Sequence, residues 1–299
     1  MTKLLTIIII LISCIGFSQT EKFTIKNASI NNEYPHFGLM LVNDSKIIFT
    51  SYLLDKKDRL KRNQSNPILT IFEGDIDETG AIQNIQNIKI APTEKINYIT
   101  SASISSDGKQ LYLTTTINDD AIAEDNFQIK VGEFKNDLGW TNFKTLSFCN
   151  PKYSYAHPSI SNDGKTLYFT SNIRGGKETT KGSSDIFKVA ILENKSFGEP
   201  ENLGAKVNSY SKEMFPFIAE DNTLYFASNR PGGFGNFDIY KSKMSADGTF
   251  EKAEKLPKPI NSSKDDFCFV INKDNKTGYF SSKSDGGKGD DDIYYFTKD

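Results

Sequence analysis

The sequence predicts an all-β protein, a five-bladed β-propeller of four-stranded antiparallel blades closed by an N-terminal strand that completes the last blade. Three observations carry this. A strand-and-loop phrase recurs at a nearly constant interval, each copy reads as four short strands, and a spare strand-like segment precedes the first copy while the last copy ends one strand short.

The repeat is clearest in FPFIAEDNTLYFASNRPGGFGNFDIYKSK, residues 215–243. It lines up with TLYFTSNIRGGKETTKGSSDIFKVA (166–190) and TGYFSSKSDGGKGDDDIYYF (277–296). Each copy has an apolar-aromatic strand ending in Ser, then a loop with a glycine pair, Gly175-Gly176, Gly232-Gly233 or Gly286-Gly287. An Asp-Ile-aromatic triplet follows, led by Asp185, Asp238 or Asp292. QLYLTTTINDD (110–120) and KIIFTSYLL (46–54) keep the strand and lack the glycines. With Phe49, Leu113, Phe169, Phe226 and Phe280 equivalent, the spacings are 64, 56, 57 and 54 residues, so self-similarity sets the unit before any strand is assigned.

Within a unit the turns are local. Asp107-Gly108, Asn162-Asp163-Gly164 and Asp221-Asn222 are hairpin signals between alternating strands. Leu224, Tyr225 and Phe226 follow one another, so both faces of that strand are apolar and both need cover. Sheets stacked face to face around an axis supply it. The blades are expected over about 34–90, 97–148, 153–204, 210–257 and 264–299, with KFTIKNASI (22–30) as the closing strand. The 281 residues from Gln19 to Asp299 leave no room for a sixth blade, and 19–299 is read as one domain.

Ahead of it, Lys3 and a twelve-residue, largely apolar run from Leu4 to Ile15 lead to Gly16 and Ser18, spaced as a cleavage site. The run is shorter than the roughly 20 residues that span a bilayer, so residues 1–18 are expected to be a signal peptide. Leu11-Ile12-Ser13-Cys14 offers the rival reading of a lipoprotein anchored through Cys14. Either way the chain is exported, to the periplasm or the outer membrane, or secreted. Cys149 and Cys268 then fall in non-adjacent units, and no disulfide is expected between them. The formal net charge of −2 excludes nucleic-acid binding by bulk charge.

With these residues in view, the chain resembles the TolB-like group of WD-type propeller repeats, and within it the propeller region of exported OmpA-associated envelope proteins of Bacteroidetes. The phrases LYFASNRPGGFGNFDIY and DDFCFVINKDNKTGYFSSKSDGGKGDDDIYYF carry the resemblance, strongly over 155–296 and weakly before. In such proteins the propeller is often joined to a tetratricopeptide segment or a peptidoglycan-binding domain. Neither is seen in this sequence, so the resemblance implies an envelope role for the propeller alone.

Little in the chain looks like chemistry. Gly232, Gly233 and Gly235 are followed by a strand and not by the helix a phosphate loop needs, so they read as a β-connection. Asp185, Asp238 and Asp292 recur in three units, which suits a structural hydrogen-bonding role. Asp290 and Asp291 are a weak Ca²⁺ candidate without regular ligand spacing, and otherwise no metal or cofactor is expected. His36 and His157 sit at non-equivalent places, each near a Pro, and read as residues leading into strands. No G-x-S-x-G elbow occurs.

What remains lies on the face formed by the second-to-third-strand loops. DKKDRLKR (55–62) carries five basic and two acidic residues, against Asp119, Asp120, Glu124 and Asp125 in unit two and Asp285 and Asp290 to Asp292 in unit five. Lys56, Lys57, Arg59, Arg174, Asn229 and Arg230 are the expected contact residues of that rim. The functional expectation is a non-enzymatic, monomeric interaction or scaffold module for envelope proteins. The alternative is a propeller that binds or hydrolyses glycans at the loop face or central channel.

Overall fold

A computed structural model describes residues 21–63, 65–96, 98–117, 126–175 and 179–299. The expected signal peptide with Cys14, the acidic run from Asp119 to Asp125, and Gly176 lie outside the described residues.

Strand β1 (Phe23–Asn27) precedes the first blade, which is built from β2 (Phe37–Asn43), β3 (Lys46–Tyr52), β6 (Leu69–Ile76) and β7 (Ile82–Asn87). A small hairpin, β4 (Arg62–Asn63) and β5 (Asn66–Pro67), is inserted between its second and third strands. Blade two contains β8 (Ile99–Ile104), β9 (Gln110–Thr116), β10 (Phe127–Lys135) and β11 (Gly139–Thr145). Blade three contains β12 (Tyr155–Ile160), β13 (Thr166–Ser171), β14 (Asp185–Ala190) and the two-residue β15 (Glu201–Asn202). Blade four repeats this with β16 (Glu213–Ile218), β17 (Thr223–Ser228), β18 (Asp238–Lys243) and β19 (Glu254–Lys255). Blade five has β20 (Asp266–Ile271), β21 (Thr277–Ser282) and β22 (Asp292–Lys298), and its fourth strand is β1.

All pairings are antiparallel within blades, and the first strands β2, β8, β12, β16 and β20 neighbour one another in a closed ring. The five hydrophobic clusters lie between successive blades. Leu167 and Phe169 of β13 pack back on Tyr112 and Ile129 of blade two, whereas Tyr168 between them packs forward on Leu224 and Phe226 of blade four. Period-two geometry thus sends consecutive side chains of one strand into two different interfaces. That is why these strands are apolar on both faces: every residue of TLYFAS in β17 is buried. Each buried aromatic or branched side chain contributes roughly 1.5–3 kcal/mol.

Ring closure is made by β1, which pairs with β22 from Phe23↔Lys298 to Asn27↔Tyr294. A side-chain device recurs beside this register. Asn31 accepts from Ile293 N at 2.9 Å and donates to Ile293 O at 2.8 Å. Asn208 brackets Ile186 and Asn261 brackets Ile239 in the same way. The Ile-Asn or Val-Asn step before blades one, four and five therefore staples the Asp-Ile strand of the preceding blade. The N-terminal copy carries the same staple as the two interior ones.

Candidate functional site

The two ends of the propeller are built differently. At the end formed by the second-to-third-strand loops, polar groups are turned onto the protein itself. Asp238 is wholly buried and accepts from Phe234 N at 2.9 Å and Gly235 N at 3.3 Å. Asp185 accepts from Lys181 N at 3.0 Å and from the Asn202 amide at 2.8 Å. Asp292 accepts from Lys288 N, from Gly289 N at 3.2 Å and from the Asn27 amide at 2.8 Å. Each carboxylate closes the loop ahead of it. The glycine pair answers two separate demands: Gly232 has φ +90°, which favours glycine, and a Cβ on Gly233 would collide with the Asp238 carboxylate.

The expected rim residues divide. Asn229 accepts from Lys212 N at 2.8 Å. Arg230 donates to Val207 O at 2.5 Å, to Ser228 Oγ at 3.0 Å and to the buried Glu213 at 3.1 Å, with its guanidinium 4.6 Å over the Tyr240 ring. Arg174 spans its own loop through Thr180 O at 2.8 Å and Gly182 O at 2.6 Å. Lys56 and Lys57 are exposed, and Arg59 pairs with Asp55 at 2.7 Å. Asp290 pairs with Lys283 at 3.0 Å. Asp291 lies 3.8 Å from the same ammonium, and burial, with Asp290, Asp265 and Asp292 near, pushes its carboxyl up to about 6. Among the described residues no group of three or more His, Cys, Asp or Glu side chains is placed to hold a metal ion.

At the opposite end a cavity of about 560 Å³ enters the central channel. Its mouth is formed by the first-to-second-strand turns, including Asn43, Ser106, Asp107, Asn162, Glu220 and Lys273, and its walls by residues of all five first strands. Its floor is a ring of equivalent residues: Gly38, Ser101, His157, Phe215 and Cys268. In four blades the first strand bulges at this level, and Gly38, His157, Phe215 and Cys268 have φ of 65°, 56°, 51° and 53°. Three non-glycine residues in the left-handed region, each costing about 1–3 kcal/mol, concentrate strain on the channel.

A bulge turns an N–H out of the ladder, and the neighbouring blade meets it. Gly38 N donates to Cys268 Sγ at 3.2 Å, His157 N to Thr114 Oγ1 at 2.9 Å, and Phe215 N to His157 Nδ1 at 3.3 Å. Nearer the mouth a second tier repeats the device. Ile104 N donates to Met40 Sδ at 3.1 Å, Ile160 N to Ser103 Oγ at 3.3 Å, and Ile218 N to Ser159 Oγ at 3.4 Å. The His157 ring stacks on Phe215 with centroids 3.7 Å apart. Burial pushes the His157 pKa down to about 3, so the ring is neutral near pH 7. In the sequence His157 reads only as a residue leading into a strand. Its equivalence with Gly38, Phe215 and Cys268 is visible once the strands are aligned.

No family model matches the chain, and no curated protein matches it in sequence. Solved structures do match in fold. A thermostable family-43 glycoside hydrolase is 11% identical with a TM-score of 0.54, over 91% of this chain and 92% of that one. The β-1,2-mannobiose phosphorylase from Listeria innocua is 11% identical with a TM-score of 0.53, over 92% and 90%. A TolB-type protein from Agrobacterium tumefaciens is 13% identical with a TM-score of 0.48, over 88% and 70%. These neighbours correct the expectation of a non-enzymatic protein: the same fold carries hydrolases and phosphorylases, so it gives no ground for excluding catalysis. At such identity the likeness is one of fold alone, and the five-bladed β-propeller is the architecture that the described strands themselves build.

Proposed function

We propose that this protein is an exported binding propeller of the cell envelope that takes its ligand into the central cavity, at the end formed by the first-to-second-strand turns. The observation that carries the reading is the contrast between the two ends. At the loop end Arg174, Arg230, Asn229, Asp185, Asp238 and Asp292 bond to the protein's own backbone. The turn end opens a cavity in the size range of small-molecule sites, with strained, closely packed residues as its floor. Export rests on the signal-like first 18 residues.

The test is a binding screen of the purified protein against envelope saccharides and peptides, repeated with two variants. Ser106→Trp places a bulky side chain at the cavity mouth. The triple change Lys56→Ala, Lys57→Ala and Arg59→Ala clears the basic loop at the other end. Loss of binding in the first alone supports the cavity. Loss in the second alone sinks it in favour of the loop rim.

A further inference from the structure

Three residues lining the cavity each accept one backbone N–H through the side chain and keep a donor hydrogen of their own. Phe215 N donates to His157 Nδ1, so in the neutral ring Nε2 carries the proton. His157 is 92% buried at the cavity floor, and none of the described residues accepts from its Nε2–H. Ser103 and Ser159 each accept a backbone N–H from the next blade through Oγ. Their hydroxyl hydrogens stay free to rotate toward the cavity both residues line. A donor on a largely enclosed cavity floor with no protein acceptor is met well by a ligand oxygen.

The surroundings say which oxygen. Among the described residues Lys273 is the sole cation lining the cavity; it sits at the mouth and faces Glu220 at 3.9 Å. The floor therefore offers a carboxylate no counter-charge, and desolvating one there would be expensive. Met40 and Phe217, level with the two serines, and Val42, Ile104 and Ile160, nearer the mouth, add apolar surface to the cavity lining. A pyranose matches this lining, with a C–H face for the walls and several uncharged acceptor oxygens for the donors.

We infer, resting on the cavity reading above, that His157, Ser103 and Ser159 are the donor set that holds the oxygens of an uncharged sugar residue, with His157 as the specificity-determining member. His157→Asn isolates the ring donor. Asn tolerates positive φ and keeps an acceptor near the Nδ1 position for Phe215 N, but leaves nothing at Nε2. His157→Gln keeps a donor near Nε2.

The probes are the methyl glycosides of glucose, galactose, mannose and N-acetylglucosamine, with glucuronate and an amide-capped tetrapeptide as contrasts. Binding is read by calorimetry and by the ¹⁵N resonances of the His157 ring. The expected result is binding of at least one neutral glycoside with a shift of the Nε2–H signal. His157→Asn then weakens it about tenfold or more, as loss of a hydrogen bond to a buried donor implies, and His157→Gln weakens it less. Ring resonances of the unliganded protein that report an Nδ1–H tautomer overturn the donor assignment, whether or not the variants fold. Tighter binding of glucuronate than of methyl glucoside, or an unchanged affinity in His157→Asn, overturns it as well. Binding of the tetrapeptide alone, or of no probe, overturns the sugar class. The cavity reading falls separately, if ligands from the screen bind Ser106→Trp as well as they bind the natural protein.

Discussion

Asn31 and Ile293, 262 residues apart, are joined by two hydrogen bonds in which one side-chain amide both accepts from and donates to a single backbone residue, at 2.9 and 2.8 Å. This contact, with the β1–β22 ladder, ties the start of the described chain to its last strand. Asn31→Ala leaves the Ile293 N–H without a partner, while Ile293 O keeps Ala28 N at 2.9 Å, and is expected to cost about 1–3 kcal/mol, read as a lower midpoint in denaturant unfolding. The interior staples predict a similar loss for Asn208→Ala and Asn261→Ala. A variant lacking residues 21–31 should go further and make β22 accessible to protease. Unchanged unfolding in these variants would disprove closure by β1.

Arg230 and Glu213 form a buried ion pair inside a hydrogen-bonded network. Arg230→Met strands the Glu213 carboxylate and is expected to destabilise by about 3–5 kcal/mol, with Arg230→Lys recovering only part because it cannot match the guanidinium fork. The double change Arg230→Met with Glu213→Gln should restore much of the loss. Equal stabilities of the single and double variants would show that the pair is not coupled.

Asp291 predicts a pH dependence with a definite sign. Its folded pKa of about 6 lies above the unfolded value of roughly 3.9. Between those values the unfolded chain gives up its proton first, so the contribution of Asp291 to stability falls as pH rises and then levels off. Asp291→Asn should therefore unfold like the natural protein below about pH 4 and be more stable by about 1–3 kcal/mol at pH 7.5. Chemical denaturation at the two pH values checks it, and a variant no more stable at pH 7.5 would show that the carboxylate is well solvated or well paired.

Gly38 is the bulge residue of blade one. It combines φ +65° with a close approach to the neighbouring blade, where a Cβ would stand 2.6 Å from Thr100 O. Gly38→Ala is expected to lower stability by more than about 1 kcal/mol, since both the backbone and the contact resist it. Thermal unfolding measures it. A neutral Gly38→Ala would mean that blade one relaxes outward at the channel.

The repeat, the blade count and the closing strand were legible because each rests on local order: period-two alternation, turn residues, and a phrase copied at a near-constant spacing. The Asn staples were legible in principle, as Val207-Asn208, Ile260-Asn261 and Ile30-Asn31, but are spread over a step where no strand pattern draws the eye. The cavity was not. Leu39 and Met40 look alike in sequence, yet Leu39 packs in the interface between blades five and one while the thioether of Met40 caps Ile104 N of the adjacent blade two. Nor could sequence tell that Arg230, in a glycine-rich loop, is folded inward onto Glu213 while Lys57 stays outside.

By itself the sequence determined what one blade is and how many there are, since strands, hairpins and two-faced burial follow from nearest neighbours along the chain. Only the tertiary structure decided which end of the propeller is open and which polar groups are left to a ligand. Those properties belong to the ring. A bulge on one blade exposes an N–H, the preceding blade supplies or withholds an acceptor, and which nitrogen of the neutral His157 ring carries the proton is set by Phe215, 58 residues away.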